Sequence, residues 1–198
     1  MKRILDVILS IVGLLLLSPV FLITAALIKL DSDGPVFFQQ ERVGRFGRYF
    51  NILKFRTMVN NAQSIGASIT IGNDSRITRC GNYLRKYKLD ELPQLINVLK
   101  GDMSLVGPRP EVAEYVKYYP EDVKHRVLSV RPGITDVASL KFLNEAKMLS
   151  EAEDPLRCYV DEILPIKLKY YTEYVDNRSL IKDFSIIVST ILSILSQR

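Results

Sequence analysis

Asp90 and Glu91 are adjacent carboxylates, and Arg85, Lys86 and Lys88 lie within the five positions before them. Two acids among cations can do phosphoryl chemistry, because the cations keep a carboxylate ionised as a nucleophile and bind the phosphate it attacks. The spacing also predicts a helix over 90–100, with Asp90 as N-cap, Glu91 and Pro93 in the first turn, Lys100 in the last and Gly101 just beyond. Its N-terminal field would favour an anion in the same place. The bland account is complete on local physics: Asp90 caps, Glu91 complements the helix dipole, and the basic residues are solvated.

Three further groups are candidates for phosphate binding. Arg109 is fixed between two prolines in Gly107-Pro108-Arg109-Pro110, so its guanidinium projects from a stiff backbone and suits a bidentate contact. Lys54 and Arg56 alternate in the strand-like KFRTM stretch and would share one face. Arg76 lies in DSRITR, residues 74–79, where an Asx-type helix start explains most of the pattern. Each has a structural alternative: a rigid turn, a solvated sheet face and a cap.

The elements that must position these groups follow from periodicity. Strands are expected at 36–40 and 49–58, joined by a turn at 44–47, then a loop over 60–74 and a short helix over 77–86. In the 90–100 helix, Leu92, Leu95, Ile96 and Leu99 form the expected buried stripe. A short strand at 103–106 leads into GPRP, an amphipathic helix should cover 111–127, and Arg131-Pro132-Gly133-Ile134 reads as a rigid turn. The remainder reads as helical and ends in 184–195, whose twelve residues are too few to span a bilayer. That segment should pack on the first helix or lie at a membrane interface.

The first helix is the uncharged run 7–28, 22 residues and long enough to cross a hydrocarbon core. A secretory signal peptide is the rival, but Asp6 sits where such peptides are positive and the run is longer than a usual h-region. A retained membrane segment is expected. Both flanks are basic, with Lys2 and Arg3 before and Lys29, Arg42, Arg45 and Arg48 after, so a simple crossing cannot keep both on one side. Ser18-Pro19 offers a bend, since proline removes a backbone donor and clashes with the preceding turn, while Ser18 supplies a hydroxyl for the freed carbonyl. A re-entrant helix and a kinked spanning helix both remain open on these residues.

The composition, 47% hydrophobic and 25% charged over 198 residues, is globular with an apolar excess. Two cysteines without metal-ligand spacing and a single histidine, His125, make structural zinc and a Ser-His-Asp triad poor candidates. Residues 1–110 carry 15 Lys/Arg against 8 Asp/Glu, so the anion-attracting half is the first. The sequence has no Walker loop, dinucleotide fingerprint or nucleic-acid motif, and nucleic acid is not an expected partner. A non-catalytic, membrane-anchored basic adaptor for anionic lipid or nucleotide is the alternative class.

Several stretches together resemble the bacterial sugar transferases, the monotopic phosphoglycosyl transferases that start polyprenyl-linked glycan assembly. They are Gly34-Pro35-Val36-Phe37-Phe38 with Gln40, Arg42 and Gly44; KFRTM; RITRCG at 76–81; LDELPQLINVLKGDMSLVGPRP at 89–110; and RPGIT at 131–135. A weaker match covers 179–191. The resemblance implies an α+β fold: a re-entrant membrane helix broken at Ser18-Pro19 over 1–30, then a mostly helical cytoplasmic catalytic domain over 31–198 with a few short strands and interfacial amphipathic helices. It implies sugar 1-phosphate transfer from a UDP-sugar to polyprenyl phosphate at the inner membrane of a bacterium, through a covalent phosphosugar-aspartate. Asp90 would be nucleophile and Mg2+ ligand, Glu91 its partner, and Arg85 and Arg109 the phosphate binders. Membrane lipid is a further implied partner, and self-association is left open. After PGIT this chain reads Asp136-Val137-Ala138-Ser139 where many relatives have Gly and then an Ala-Gln-Val-Asn-Gly run, which leaves the sugar unassigned.

Overall fold

The computed structural model describes residues 1–60, 62 and 74–196, so most of the loop expected over 60–74 lies outside the described residues. The chain is mostly helical with a few short strands. In order come α1 (Lys2–Asp31), β1 (Phe37–Val43), β2 (Tyr49–Phe55), α2 (Arg79–Lys86), a 3-10 turn (Leu89–Glu91), α3 (Gln94–Lys100) and β3 (Ser104–Val106). Then follow α4 (Ala113–Val116), α5 (Glu121–Val127), β4 (Gly133–Thr135), α6 (Val137–Lys141), α7 (Glu145–Glu151), α8 (Pro155–Cys158), a π-turn (Tyr159–Ile163), α9 (Leu164–Asp176) and α10 (Leu180–Ser196).

α1 is helical throughout, so Ser18-Pro19 is a site within one helix and not a gap between two. Proline 19 cannot donate to the carbonyl four residues back, which is Leu15. The Ser18 hydroxyl takes that place, donating to Leu15 O at 2.8 Å. The side of α1 that packs on the protein is unusual for an apolar helix: Asp6, Ser10 and Thr24 are buried with Ile28, while Leu16 and Leu22 are each 74% exposed. Both ends are tied to the rest of the chain. Near the start, Arg3 donates to Val98 O (2.7 Å) and Leu99 O, Asp6 accepts from Ser104 Oγ (2.9 Å), and Lys2 pairs with Asp183 of α10 at 2.6 Å. Near the end, Ile28 packs with Phe55 and Leu84, and Asp31 accepts from the Cys80 amide.

β1 and β2 form an antiparallel hairpin that sets Phe38 opposite Lys54 and Val43 opposite Tyr49. β3 and β4 pair in parallel, Ser104 with Gly133 and Val106 with Thr135. The expected rigid turn at 131–134 therefore contains a strand. Its length of three residues hides it from a periodicity reading, and Gly133 is what lets it form. A Cβ there would sit 2.1 Å from the Gly107 nitrogen, a backbone atom that cannot move aside. Gly133→Ala should destabilise the fold by about 1–3 kcal/mol or more, visible as a lower melting temperature; an unchanged melt would mean the two backbones can separate freely.

Two expected helices differ in outline. The helix over 111–127 is divided, because Pro120 cannot continue α4 and instead precedes the first turn of α5. The helix over 90–100 begins late: Asp90 lies inside the 3-10 turn and does not cap, Lys88 before it has φ of 54°, and α3 starts only at Gln94 after Pro93. Its C-terminus matches expectation, with Gly101 at φ 95° donating to Asn97 O and Val98 O. The expected apolar stripe is not its buried face. Gln94, Asn97 and Val98 are buried, whereas Leu92, Leu95, Ile96 and Leu99 are intermediate. α10 runs longer than the twelve residues expected, and it too turns polar atoms inward: Asp183 is buried, accepting from Tyr174 Oη at 2.6 Å, while Ile181 is 84% exposed.

The main core joins Val43 of β1 to α4, α5, α7 and α9, with Tyr115, Tyr159, Leu164 and Tyr171 among its members. Val43, Val116, Tyr119 and Val127 of this cluster line one cavity with Pro108, Arg109 and Pro110 of the GPRP turn.

Candidate active site

Three elements converge on the carboxylate pair. β2 delivers Lys54, the GPRP turn after β3 delivers Arg109, and α2 delivers Arg85 toward the 3-10 turn that carries Asp90 and Glu91. Asn97 holds α3 to the strand: its amide donates to Asn51 O (2.8 Å) and its carbonyl accepts from Leu53 N (2.9 Å), fixing β2 at the register that places Lys54. Gly81 seats α2 against the residues following β2, since a Cβ at that position would lie 2.1 Å from Thr57 O.

Glu91 is the hub. Its Oε1 accepts from Lys54 Nζ at 2.9 Å, and Arg109 forks onto both of its oxygens, NH1 to Oε2 at 3.2 Å and NH2 to Oε1. Burial by itself would raise the Glu91 pKa, but Arg109 and Lys54 outweigh it and hold the carboxyl well below the usual glutamate range. The pairing also raises Arg109, which stays charged. Burial lowers Lys54 against the pull of Glu91.

Asp90, one peptide bond away, has a different environment. It is 7% exposed, and its Oδ1 is buried without a hydrogen-bond partner. Burial first, and the neighbouring Glu91 charge second, push its pKa up, with Lys54, Lys88 and Arg85 opposing. The adjacent acids are thus driven apart: one is locked as an anion between two cations, the other is a strained carboxylate with an oxygen to offer.

The remaining candidates are placed as follows. Arg85 Nε donates to Thr57 Oγ1 at 2.9 Å; burial lowers its pKa, and the Asp90 charge is the strongest attraction opposing that. Arg56 continues the hairpin by donating its amide to Val36 O, but its side chain does not reach the carboxylate pair: the guanidinium donates to Asp33 O, Ser32 O and Ile28 O at the C-terminus of α1. Arg76 binds Asp74 through both carboxylate oxygens, as the Asx-type start suggests. Thr57, Gln94 and Asn97 are site residues that sequence reasoning does not single out; for Gln94 and Asn97 the available signal is a polar side chain set within the apolar run of 89–99, and for Thr57 there is none.

The site thus sets a buried carboxylate beside a cation-bound partner, on a fold that carries one 30-residue helix long and apolar enough to cross a membrane. The bacterial sugar transferase family model matches residues 1–197, and the chain belongs to that family. It is 41% identical over 197 residues to the UDP-N-acetylgalactosamine-undecaprenyl-phosphate N-acetylgalactosaminephosphotransferase of Aeromonas hydrophila, covering 98% of this chain and 44% of the relative. It is 38% identical over 201 residues to the UDP-glucose:undecaprenyl-phosphate glucose-1-phosphate transferase of Xanthomonas campestris pv. campestris, covering 100% and 39%. The exopolysaccharide production protein ExoY of Rhizobium meliloti (strain 1021) is 34% identical over 212 residues, with 100% and 86% covered. The chain spans less than half the length of the first two relatives.

Proposed function

We propose that this protein transfers a sugar 1-phosphate from a UDP-sugar to undecaprenyl phosphate, releasing UMP and leaving the sugar on undecaprenyl diphosphate. The observation that carries the reading is the division between adjacent acids: Glu91 is bound by Lys54 and Arg109, while Asp90 keeps a buried oxygen without a partner. The activities named for the Aeromonas and Xanthomonas relatives support the substrate classes.

In this reading Asp90 is the nucleophile. A carboxylate oxygen attacks the β-phosphorus of the UDP-sugar, the bond from that phosphorus to the bridging oxygen breaks, and UMP leaves with the bridging oxygen. An oxygen of undecaprenyl phosphate then attacks the same phosphorus and Asp90 departs as the carboxylate. Little net driving force is needed, because one phosphoanhydride replaces another. The protein's task is positioning and charge neutralisation, for which Arg109, Lys54 and Arg85 are the groups at hand. Glu91 keeps Lys54 and Arg109 aimed before the diphosphate arrives.

The resemblance implies Mg2+, and the residues fit it. Among the described residues no three His, Cys, Asp or Glu side chains converge, yet Mg2+ commonly uses one or two carboxylates with substrate phosphates and water. Asp90 Oδ1 is an unpartnered oxygen of that kind. The ion, when bound, would neutralise charge on the diphosphate.

A panel of UDP-sugars tested for Mg2+-dependent UMP release is the direct experiment. Release with one of them supports the transferase; silence across the panel with undecaprenyl phosphate present leaves a non-catalytic anion-binding adaptor. Arg109→Lys should lower kcat/KM at least tenfold in a folded protein, about 1.4 kcal/mol or more of transition-state stabilisation, because lysine cannot fork. Turnover near the native value would reduce Arg109 to a turn element.

The same reading makes α1 re-entrant in the bacterial inner membrane, with both ends and the site on the cytoplasmic side and the exposed faces of α1 and α10 against lipid. Support comes from the anchoring of both ends. Asp6 and Asp31 would be about 37 Å apart along a straight helix, beyond a hydrocarbon core of about 30 Å. Both nonetheless bond to neighbouring elements of one packed unit. Single cysteines placed at Lys2 and at Lys29, in a background lacking Cys80 and Cys158, should label from the same side of sealed vesicles. Labelling from opposite sides would sink the re-entrant topology.

A further inference from the structure

Gln94 is 1% exposed, and neither its carbonyl oxygen nor its amide nitrogen has a hydrogen-bond partner. A buried carboxamide with both ends unmatched is costly, and such groups are rare unless something outside the protein completes them. Gln94 follows Asp90 by four residues, and Leu92 and Pro93 between them hold right-handed helical dihedrals, so the two side chains leave the backbone about one turn apart. A helical side chain leans toward the N-terminus, which directs Gln94 back over the turn holding Asp90. Asp90 Oδ1 is the other unpartnered buried oxygen there. Two acceptors without a donor, one charged and one neutral, are the ligand type that a hard divalent cation takes.

We propose that Gln94 Oε1 is a second protein oxygen for the divalent cation, beside Asp90 Oδ1, and that Gln94 Nε2 is left to donate to a phosphate oxygen held by the same ion. This inference deepens the transferase reading and rests on it for the phosphate. It explains why a site with Glu91 fully engaged by Lys54 and Arg109 needs no third acid. A neutral second ligand also keeps the site from gathering negative charge against an incoming diphosphate.

The test uses the full chain in detergent with Mn2+ as a spectroscopic stand-in for Mg2+, and no UDP-sugar or lipid. Free Mn2+ is followed by electron paramagnetic resonance, and melting temperature is recorded with and without the metal. Gln94→Met keeps the shape and removes both unmatched polar atoms. Without metal it should melt at or above the native temperature, while its Mn2+ dissociation constant rises at least fivefold and the metal-induced rise in melting temperature disappears. Gln94→Glu, which retains the oxygen and adds charge, should bind Mn2+ more tightly than the native protein. Native-like Mn2+ affinity in Gln94→Met overturns the proposal, and a lower metal-free melt with that affinity identifies a buried water bridging Gln94 and Asp90 instead. If Gln94→Met does not fold, Gln94→Glu decides alone: tighter binding supports the ligand, equal or weaker binding overturns it. Because no substrate is present, absence of UMP release would fail the transferase reading without touching this result.

Discussion

Asp90→Asn should melt at or above the native temperature at pH 7 and yet lose UMP exchange and turnover together, by at least a thousandfold. The stability half follows from the direction of the pKa shift. Burial and the Glu91 charge raise the folded Asp90 pKa above its ordinary value of 3.8, so the native state binds that proton more tightly than the unfolded chain does. Such a group favours folding below the unfolded pKa and loses that contribution as pH rises through the folded pKa. At pH 7 the ionised carboxylate is therefore a net cost, and a neutral amide of the same size removes it. The activity half follows from the nucleophile reading. With Asp90 present, labelled UMP should enter UDP-sugar with no lipid acceptor, and the two-substrate kinetics should be ping-pong. An acid limb in kcat/KM should also lie above the range of an ordinary aspartate. Exchange retained in Asp90→Asn, or exchange that strictly requires undecaprenyl phosphate, would favour direct transfer in a ternary complex.

The site was legible in the sequence where chemistry and geometry coincide within a short span. Asp90, Glu91 and Arg109 lie in one 22-residue block, and Lys54 reaches Glu91 from the strand expected to carry it. The role of Arg56 was not legible, because strand alternation pairs it with Lys54 while its long side chain reaches an element far away in sequence. The end of α1 offers carbonyls lacking helical partners, and a buried guanidinium satisfies them. No local pattern states which distant helix end will need a donor.

The inversions in α1, α3 and α10 have one physical source. Amphipathic reasoning assumes water on the side away from the core, so leucines go in and polar residues go out. α3 instead lies between α1 and the site: Leu95 meets Gly13 of α1, while Gln94 and Asn97 face the polar interior. α1 and α10 likewise bury Asp6, Ser10, Thr24 and Asp183 and turn leucine, isoleucine and phenylalanine outward. The periodicity was readable from the sequence; which face was inside depended on what packs against each helix, which the pattern alone does not specify. β4 was lost for a different reason, since three residues opened by Pro-Gly carry too short a signal.

Glu91→Gln should have the largest effect on stability of any substitution at the site. Glu91 holds two cations whose side chains are only 18% and 29% exposed, Lys54 and Arg109. Removing the charge takes the main counter-ion from both, with Asp90 left to Lys54 and Asp136 to Arg109, and breaking a buried pair in this way costs about 3–5 kcal/mol. The pH dependence supplies a check that a packing defect would not imitate. Burial alone would raise Glu91, but Arg109 and Lys54 hold its folded pKa well below the ordinary glutamate value of 4.5, so its stabilisation is complete above the unfolded value and is lost as pH falls toward the folded one. The native protein should accordingly lose stability on acidification in that window, and Glu91→Gln should lose less there because the linked proton is gone. A double-mutant cycle isolates the pair: Lys54→Met should cost markedly less in the Glu91→Gln background than in the native one. Turnover should fall at least tenfold as well, since Lys54 and Arg109 would no longer be held ready for a diphosphate. If Glu91→Gln melts within about 0.5 kcal/mol of native and turns over normally, the three residues are independent surface groups, and the charge cluster does not position the site.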